Sequence, residues 1–239
     1  MIKKVLNQKG ILDLELLNSI GHNYIFNNDP INRFQNKINN NKKLLDKRIK
    51  KLDDLKKKIN SIDDCNLKKN SKQIVFADGN IESKIMIVGE GPGQKEDEMG
   101  KPFVGDAGIL LDKMLEAIKI NRKNIYITNV VNFRPPNNRK PESLEITKYS
   151  NYLKEHIAII NPKILILMGS TAMEALFGSK IKISKERGKW KEVIVHNKSY
   201  LAFITFHPAY LLRQPDQKKY SWLDLKIIRK KIDELKVLV

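Results

Sequence analysis

The feature that most constrains the fold is a regular alternation of strand and helix signals from about Gln73 to Val239. Four short apolar runs predict buried strands, and each is followed at once by a polar or glycine-rich segment. These strands are predicted at Ile85–Val88, Ile125–Val131, Ile164–Met168 and Leu201–Phe206. Helices are predicted at Ala107–Lys119, Glu142–Ile160, Ser170–Phe177 and about Ser221–Leu235. The alternation predicts an α/β fold with three layers, α/β/α, around a central, mainly parallel, four-stranded sheet.

The part of the chain before this region predicts a helical extension. Apolar residues recur at helical spacing at Ile11, Leu14, Leu17 and Ile20. From Ile31 to about Asn70, Lys, Asn and Asp dominate, and apolar residues again recur at helical spacing. We interpret this stretch as a long, basic, solvent-facing helix or a tethered coil, with a DNA-contacting or partner-binding arm as the alternative. The predicted domains are a Lys-rich helical extension at residues 1–70 and an α/β domain at residues 71–239.

Composition narrows the class of partner. The 239 residues carry 45 Lys and Arg against 27 Asp and Glu, a formal charge of +18, which favours a polyanion such as nucleic acid. A biased genome is the alternative reason for so many lysines. The sequence shows neither a signal-peptide pattern nor an apolar run of membrane-spanning length, so we expect a cytoplasmic protein. A monomer is the default expectation. A single cysteine, Cys65, provides neither a disulfide framework nor a cysteine-only metal site.

The segments after the four strands are expected to converge on one site, because ligands of such folds bind beyond the carboxyl ends of the strands. The first segment, 89–97, is glycine-rich but has neither a P-loop nor a dinucleotide-binding pattern. Its glycines allow the backbone to approach a ligand closely, although a simple turn is the alternative. Phe103 follows in a rigid loop, where an aromatic ring can stack on a base or simply fill the core.

Polar side chains follow the other three strands. Asn129 lies near the end of the second strand, and its amide both donates and accepts hydrogen bonds, as reading a base edge requires. The loop 132–139 after it combines two prolines with two arginines, which suits either phosphate contact or a plain connection. Ser170 opens a helix, where free N–H groups favour either an anion or an ordinary cap. His207 precedes two leucines and an arginine, a combination suited to a wedge into a base step.

Taken together, these segments resemble family 4 of the uracil-DNA glycosylase superfamily. The resemblance covers about 160 residues, from Phe76 to Leu235, and the motifs come in the family's order with similar spacing. The matching segments are Gly89–Gly93, Gly100–Gly105, Asn129–Val131, Arg134–Arg139 and His207–Leu212. No one of them is decisive, but the set is specific.

The resemblance implies a monofunctional glycosylase that flips uracil out of DNA and hydrolyses its N-glycosidic bond, starting base excision repair. By resemblance, Phe103 stacks on the flipped uracil, Asn129 hydrogen-bonds its polar edge, and His207 hydrogen-bonds its O2 atom as negative charge develops. Glu90 or Glu96 positions the attacking water. Gly91 occupies a substrate-contacting place that is an aspartate in family 1 relatives.

The resemblance also implies a DNA-contacting surface. The expected phosphate contacts are Asn138, Arg139, Ser170 and Arg213. Leu211 and Leu212 are expected to form the wedge that fills the vacated stack. The expected partner is uracil-containing DNA, single- or double-stranded.

The sequence departs from the family at its iron–sulfur site. Family 4 proteins hold a [4Fe–4S] cluster on four cysteines, and the motif alignment places those positions at Ile62, Cys65, Phe133 and Tyr149. Only Cys65 is a cysteine, a vestige of the site, so we expect no cluster and no metal. Apolar and aromatic side chains are expected to fill the vacated volume.

Two other functions remain open on the sequence alone. One is a non-catalytic DNA-binding member of the same superfamily, suggested by the missing cysteines. The other is an unrelated α/β nucleotide-binding or hydrolytic enzyme, against which stands the absence of a nucleophile elbow, a Walker lysine motif and a zinc signature.

Overall fold

The computed structural model describes residues 6–7, 10–11, 33–63 and 65–237. The chain divides into two units, Met1–Lys42 and Lys43–Val239. In the first unit, strand β1 (Leu6–Asn7) pairs antiparallel with β2 (Gly10–Ile11). Helix α1 spans Arg33–Asn60, and its residues from Lys43 onward belong to the second unit. Of the helical pattern predicted from Ile11 to Ile20, Ile11 lies in β2 and the rest falls outside the described residues.

The second unit contains a six-stranded sheet. Its strands are β3 (Asp78–Gly79), β4 (Ile85–Gly89), β5 (Tyr126–Asn129), β6 (Ile164–Met168), β7 (Trp190–Val195) and β8 (Lys198–Thr205). They lie in the order β3-β5-β4-β6-β8-β7. The four central strands are parallel, as the sequence predicts, and antiparallel β3 and β7 add an edge on each side. Both edge strands escaped prediction because β3 has two residues and β7 mixes polar with apolar ones.

Helices cover both faces of the sheet. They are α2 (Asn66–Lys69), α3 (Gln94–Met99), α4 (Asp106–Ala117), α5 (Ser143–Ile160), α6 (Ser170–Phe177), α7 (Ile183–Glu186), α8 (Pro208–Arg213) and α9 (Lys218–Glu234). Successive residues of a strand point to opposite faces. Met86 and Val88 of β4 therefore pack in one core cluster with α1 and α5, while Ile85 and Ile87 pack in another with α4 and α9. The predicted α/β/α layering is confirmed.

Helix α1 is only partly the solvent-facing helix that its composition predicts. Leu52, Leu55 and Ile59 are buried and belong to the same core cluster as the sheet residues. Nearer the start of the helix, Leu44 and Ile49 stay exposed. The prediction is wrong for the second half of the helix, because its apolar stripe is covered while its lysines point outward. The domain boundary at residue 70 stays a prediction. In the described part of the chain, no helix combines the length and apolarity that crossing a membrane needs.

Candidate active site

The carboxyl ends of the central strands surround a pocket of about 250 Å³. Segments that follow β4, β5 and β8 contribute to its wall, so three of the four segments expected to converge line one space. Its lining includes Glu90, Gly91, Glu96, Phe103, Asn129, Asn138, Arg139, His207 and Arg213. Ser170, Leu211 and Leu212 are not among the lining residues.

Phe103 forms one wall of the pocket in a constrained backbone conformation. Its φ is +54°, unusual for a residue with a side chain, and it is buried. The ring stacks against the His207 ring, with centroids 5.4 Å apart and planes inclined by 26°. Gly89 makes this packing possible: a Cβ atom there would lie 2.6 Å from the Phe103 ring and 2.4 Å from Asn129 Oδ1. The close approach of the Gly89 backbone therefore brings the Phe103 ring and the Asn129 amide together.

Asn129 ends β5 with its amide facing the pocket. Asn129 is 3% exposed, and among the described residues its amide makes no hydrogen bond. The amide atoms are open to the pocket, since Ser221 Oγ is the one fully buried polar side-chain atom in the described part of the chain that has no partner. Such an amide is left to be satisfied by a ligand or by water. The Asn129 amide thus offers two donors and an acceptor to whatever occupies the pocket.

His207 caps the start of α8. Its Nδ1 atom accepts a hydrogen bond from the backbone N–H of Ala209 at 3.2 Å. Burial, with a smaller contribution from the positive charge of Arg213, lowers the pKa of His207 from 6.5 to about 4. The imidazole is therefore neutral near pH 7, and because Nδ1 accepts, the proton lies on Nε2. His207 presents a hydrogen-bond donor without carrying a positive charge.

The two glutamates of the 89–97 segment have different surroundings. Glu96 is buried, and its carboxylate accepts backbone hydrogen bonds from Gly93 (3.1 Å), Val104 (2.9 Å) and Gly105 (2.7 Å). It ties the 89–97 segment to the Phe103 loop, so its contacts favour a structural role over the water-positioning role predicted for it. Glu90 is half-buried and accepts one hydrogen bond, from the Thr171 hydroxyl at 2.5 Å.

Thr171 and Gly91 lie beside Glu90 and affect which carboxylate can hold a water in the pocket. Thr171, fully buried at the start of α6, was missed because a Ser-Thr pair at a helix start is an ordinary cap sequence. Gly91 has no room for a side chain, since a Cβ atom would lie 2.7 Å from Val131 Cγ2. An aspartate, as in family 1 relatives, requires Val131 to move. Glu90 therefore remains the carboxylate available at the pocket.

The predicted phosphate contacts are not equivalent. Arg213 is exposed at the edge of the pocket and makes no ion pair or hydrogen bond within the described residues. Arg139 is held by both oxygens of Glu145, at 2.7 and 2.8 Å, which neutralises much of its charge. Asn138 is exposed and accepts from Arg134 Nε at 2.8 Å. Ser170, the first residue of α6, is half-buried.

The predicted wedge of two leucines is half wrong. Leu211 is 1% exposed and packs in the core cluster with α4 and α9, because α8 turns that side of the helix inward. Leu212, the next residue, is 44% exposed and points outward. Leu211 therefore stabilises α8, and Leu212 alone remains available to fill a vacated base stack.

The four positions at which the sequence resemblance predicts cluster cysteines lie together in the core. Ile62, Cys65, Phe133 and Tyr149 are all buried in the cluster that includes α1 and α5. Cys65 Sγ lies 3.3 Å from the Tyr149 hydroxyl. The described residues include no group of three or more His, Cys, Asp or Glu arranged to hold a metal ion. A [4Fe–4S] cluster needs four such ligands, usually thiolates, so this set of side chains does not fit it.

Comparison with known proteins shows the family to which the chain belongs. The sequence model of the uracil DNA glycosylase superfamily matches residues 76–229. The chain belongs to this superfamily. A type-4 uracil-DNA glycosylase from Thermotoga maritima is 43% identical over 150 residues, 62% of this chain and 77% of the relative. Another from Archaeoglobus fulgidus is 37% identical over 184 residues, 75% and 92% of the two chains. Within the superfamily, the chain groups with these type-4 relatives.

One region of a phage DNA polymerase is also similar. A DNA polymerase of Bacillus phage SP01 is 30% identical over 163 residues, which cover 68% of this chain but 17% of the polymerase. This chain is therefore also similar to one part of a much longer protein.

Proposed function

We propose that this protein is a uracil-DNA glycosylase that hydrolyses the N-glycosidic bond of a flipped deoxyuridine. The observation that carries the proposal is the convergence of Phe103, Asn129 and His207 on one pocket, with a free amide and a neutral donor facing the space between them. Family membership and the names of the type-4 relatives support it. Release of uracil from DNA leaves an abasic site, the first step of base excision repair.

Recognition of uracil follows from the surroundings of the pocket. The flipped base stacks on Phe103, and the Asn129 amide pairs with its polar edge, donating to O4 and accepting from N3–H. Cytosine offers a donor and an acceptor in the reverse order at these atoms, which leaves buried polar groups unpaired. Asn129 thus favours uracil over cytosine.

Cleavage depends on stabilising the leaving base. As the glycosidic bond breaks, its electron pair moves onto uracil, and His207 Nε2–H donates to the O2 atom where negative charge gathers. The neutral imidazole carries its one proton on Nε2, so it donates this hydrogen bond without first changing its protonation state. Glu90, oriented by Thr171, holds the water that attacks the sugar carbon and accepts its proton as the new bond forms, and the uracil anion then takes a proton from solvent.

The DNA around the flipped nucleotide meets a basic rim. Arg213 is the strongest candidate for a phosphate contact, because it is exposed at the pocket edge and unpaired within the described part of the chain. Asn138, Ser170 and, more weakly, the ion-paired Arg139 complete the proposed contacts. Leu212 fills the vacated stack. The cytoplasmic location and the monomeric state stay predictions.

We propose further that the protein works without the cluster of its family. Three of the positions where cluster cysteines are expected are occupied in the core by Ile62, Phe133 and Tyr149. The fourth, Cys65, contacts the Tyr149 hydroxyl. Iron and acid-labile sulfide are measured in protein purified without exposure to oxygen. We expect neither; stoichiometric iron and sulfide would contradict this part of the proposal.

The activity is tested with a labelled oligonucleotide that carries one uracil. Purified protein is incubated with it and with a matched thymine oligonucleotide, and abasic sites are then cleaved by alkali. We expect cleavage of the uracil strand only. If folded protein binds both oligonucleotides and cleaves neither, the chain is a DNA-binding member of the superfamily without the chemistry.

A further inference from the structure

We propose that Arg122 is a positioning residue that fixes the Phe103 ring in the pocket. The proposal rests on the function proposed above, in which Phe103 stacks on the flipped base. Arg122 lies outside every motif of the family resemblance, in a short 3-10 turn, Arg122–Asn124, before β5. It does not line the pocket itself.

The Arg122 guanidinium grips the backbone of the Phe103 loop. Its Nη1 atom donates to the carbonyl oxygen of Phe103 at 2.9 Å, and its Nη2 atom donates to that of Pro102 at 2.7 Å. One planar group thereby fixes two successive carbonyls, which sets the orientation of the peptide planes that carry the ring. Lysine, with one compact ammonium group, cannot reproduce this fork.

Two carboxylates hold the guanidinium in place. Asp78 of β3 accepts from Nε and Nη2 at 3.2 Å each, and Asp112 of α4 accepts from Nη1 at 2.9 Å. All five N–H groups of Arg122 therefore have partners. The side chain is 20% exposed, so these bonds are shielded from water on most sides. Arg122 joins the sheet edge, α4 and the Phe103 loop into one rigid unit.

The Phe103 backbone needs such support. Its φ of +54° is sparsely populated for residues with a side chain and persists only where the surroundings impose it. Its carbonyl also packs against Gly108, where a Cβ atom would lie 1.9 Å from the oxygen. Without the two hydrogen bonds from Arg122, the loop can relax and tilt the ring away from His207, with which it stacks.

The test is a double-mutant cycle measured as single-turnover uracil release. Alone, Arg122→Met is expected to lower the rate about tenfold, since small displacements of a positioned group have effects of this size or larger. In a Phe103→Leu background, the same change is expected to lower the rate less than about twofold, because the ring that Arg122 positions is already gone. Affinity for a matched thymine oligonucleotide is expected to stay unchanged.

Two further variants keep the outcome interpretable. Arg122→Lys keeps the charge and one hydrogen bond and is expected to lose less than Arg122→Met; it replaces that variant in both backgrounds if Arg122→Met does not fold. Equal loss of rate in the wild-type and Phe103→Leu backgrounds would overturn the proposal. Failure of the wild-type protein to release uracil would instead refute the proposed function.

Discussion

At the scale of single residues, burial determines the chemistry of the pocket. His207 and Asn129 are ordinary polar side chains, but Asn129 is buried and His207 half-buried, and each has one side left for a ligand. A hydrogen bond formed in such surroundings is stronger than one formed in water, and a missing one costs more. The pocket can therefore both stabilise charge on a leaving base and reject a base with the wrong edge.

The lowered pKa of His207 predicts the acid limb of the reaction. Above pH 5 the imidazole is neutral, and below about 4 it gains a proton on Nδ1, which opposes the N–H of Ala209. We expect kcat/KM to be level from pH 7 to 5 and to fall below about pH 4. Circular dichroism at each pH shows whether the protein is folded. An acid limb with a midpoint near 6.5, the ordinary value, would contradict this view of His207.

Sequence reasoning predicts which chain segments meet at one end of the sheet, and it fails where individual contacts decide. Phe103, Asn129 and His207 line one pocket, as the expected convergence of their segments predicts, while the roles assigned to them stay predictions. The prediction for Leu211 was wrong because the sequence of a six-residue helix does not show which of its sides faces the core. Arg122 was overlooked because an arginine in a polar loop does not reveal which carbonyls it reaches.

At the scale of elements, loops braced by buried polar groups hold the site. Glu96 ties the 89–97 segment to the Phe103 loop, and Thr171 ties α6 to Glu90. Helix α8 has two sides, one anchored in the core by Leu211 and one that presents Arg213 at the pocket edge. Each element thus combines an anchored side with a functional side.

The exposed end of α8 predicts the salt dependence of DNA binding. Arg213→Gln is expected to weaken binding and to reduce the slope of log K against log salt by about one, the amount for one phosphate contact. Lys180→Gln is the matched control. It removes the same charge from an exposed lysine that follows the C-terminal end of α6, the end opposite to Ser170. Equal slopes for the two variants would remove Arg213 from the proposed interface.

The segment between α1 and α2 predicts what Cys65 contributes. Because its thiol is buried beside Tyr149 and belongs to an apolar cluster, Cys65→Ala is expected to destabilise the protein by about 1 kcal/mol through a small cavity. Uracil release is expected to be unchanged at a temperature where the variant is folded. Loss of activity together with loss of bound iron would show that the thiol serves a cofactor. Chemical denaturation measures the change in stability.

At the scale of the whole molecule, the fold follows from the four apolar runs that form the parallel strands. These runs predicted the central strands and the layers because buried parallel strands are continuously apolar. The edge strands could not be predicted in this way, since one is very short and the other is partly solvated. The packed half of α1 was also missed, because its lysines mask a narrow apolar stripe.

The buried contact between His156 and Tyr126 predicts how the stability of the whole fold changes in acid. Burial lowers the pKa of His156 from 6.5 to about 3, and its Nε2 lies 2.7 Å from the Tyr126 hydroxyl. Between these two values the unfolded chain binds a proton that the folded chain does not, so stability falls as the pH falls from about 6.5. His156→Gln removes this contribution, about 3 kcal/mol at pH 4.

The matching measurement is chemical denaturation of the wild type and His156→Gln from pH 7 to 4. We expect the free energy of unfolding to fall more steeply with falling pH in the wild type than in the variant. The difference in slope is at most about 1.4 kcal/mol per pH unit, the value for one bound proton. Parallel curves for the two proteins would mean that His156 is protonated without unfolding the chain.

The most direct test of the proposed chemistry is single-turnover release of free uracil, with wild-type protein and His207→Ala compared on one uracil-containing oligonucleotide. We predict release by the wild type and a rate about 10²- to 10³-fold lower in the variant, the size expected for losing one donor to a developing negative charge. Equal rates in the two proteins, or no release by a folded wild type that binds the oligonucleotide, would contradict it.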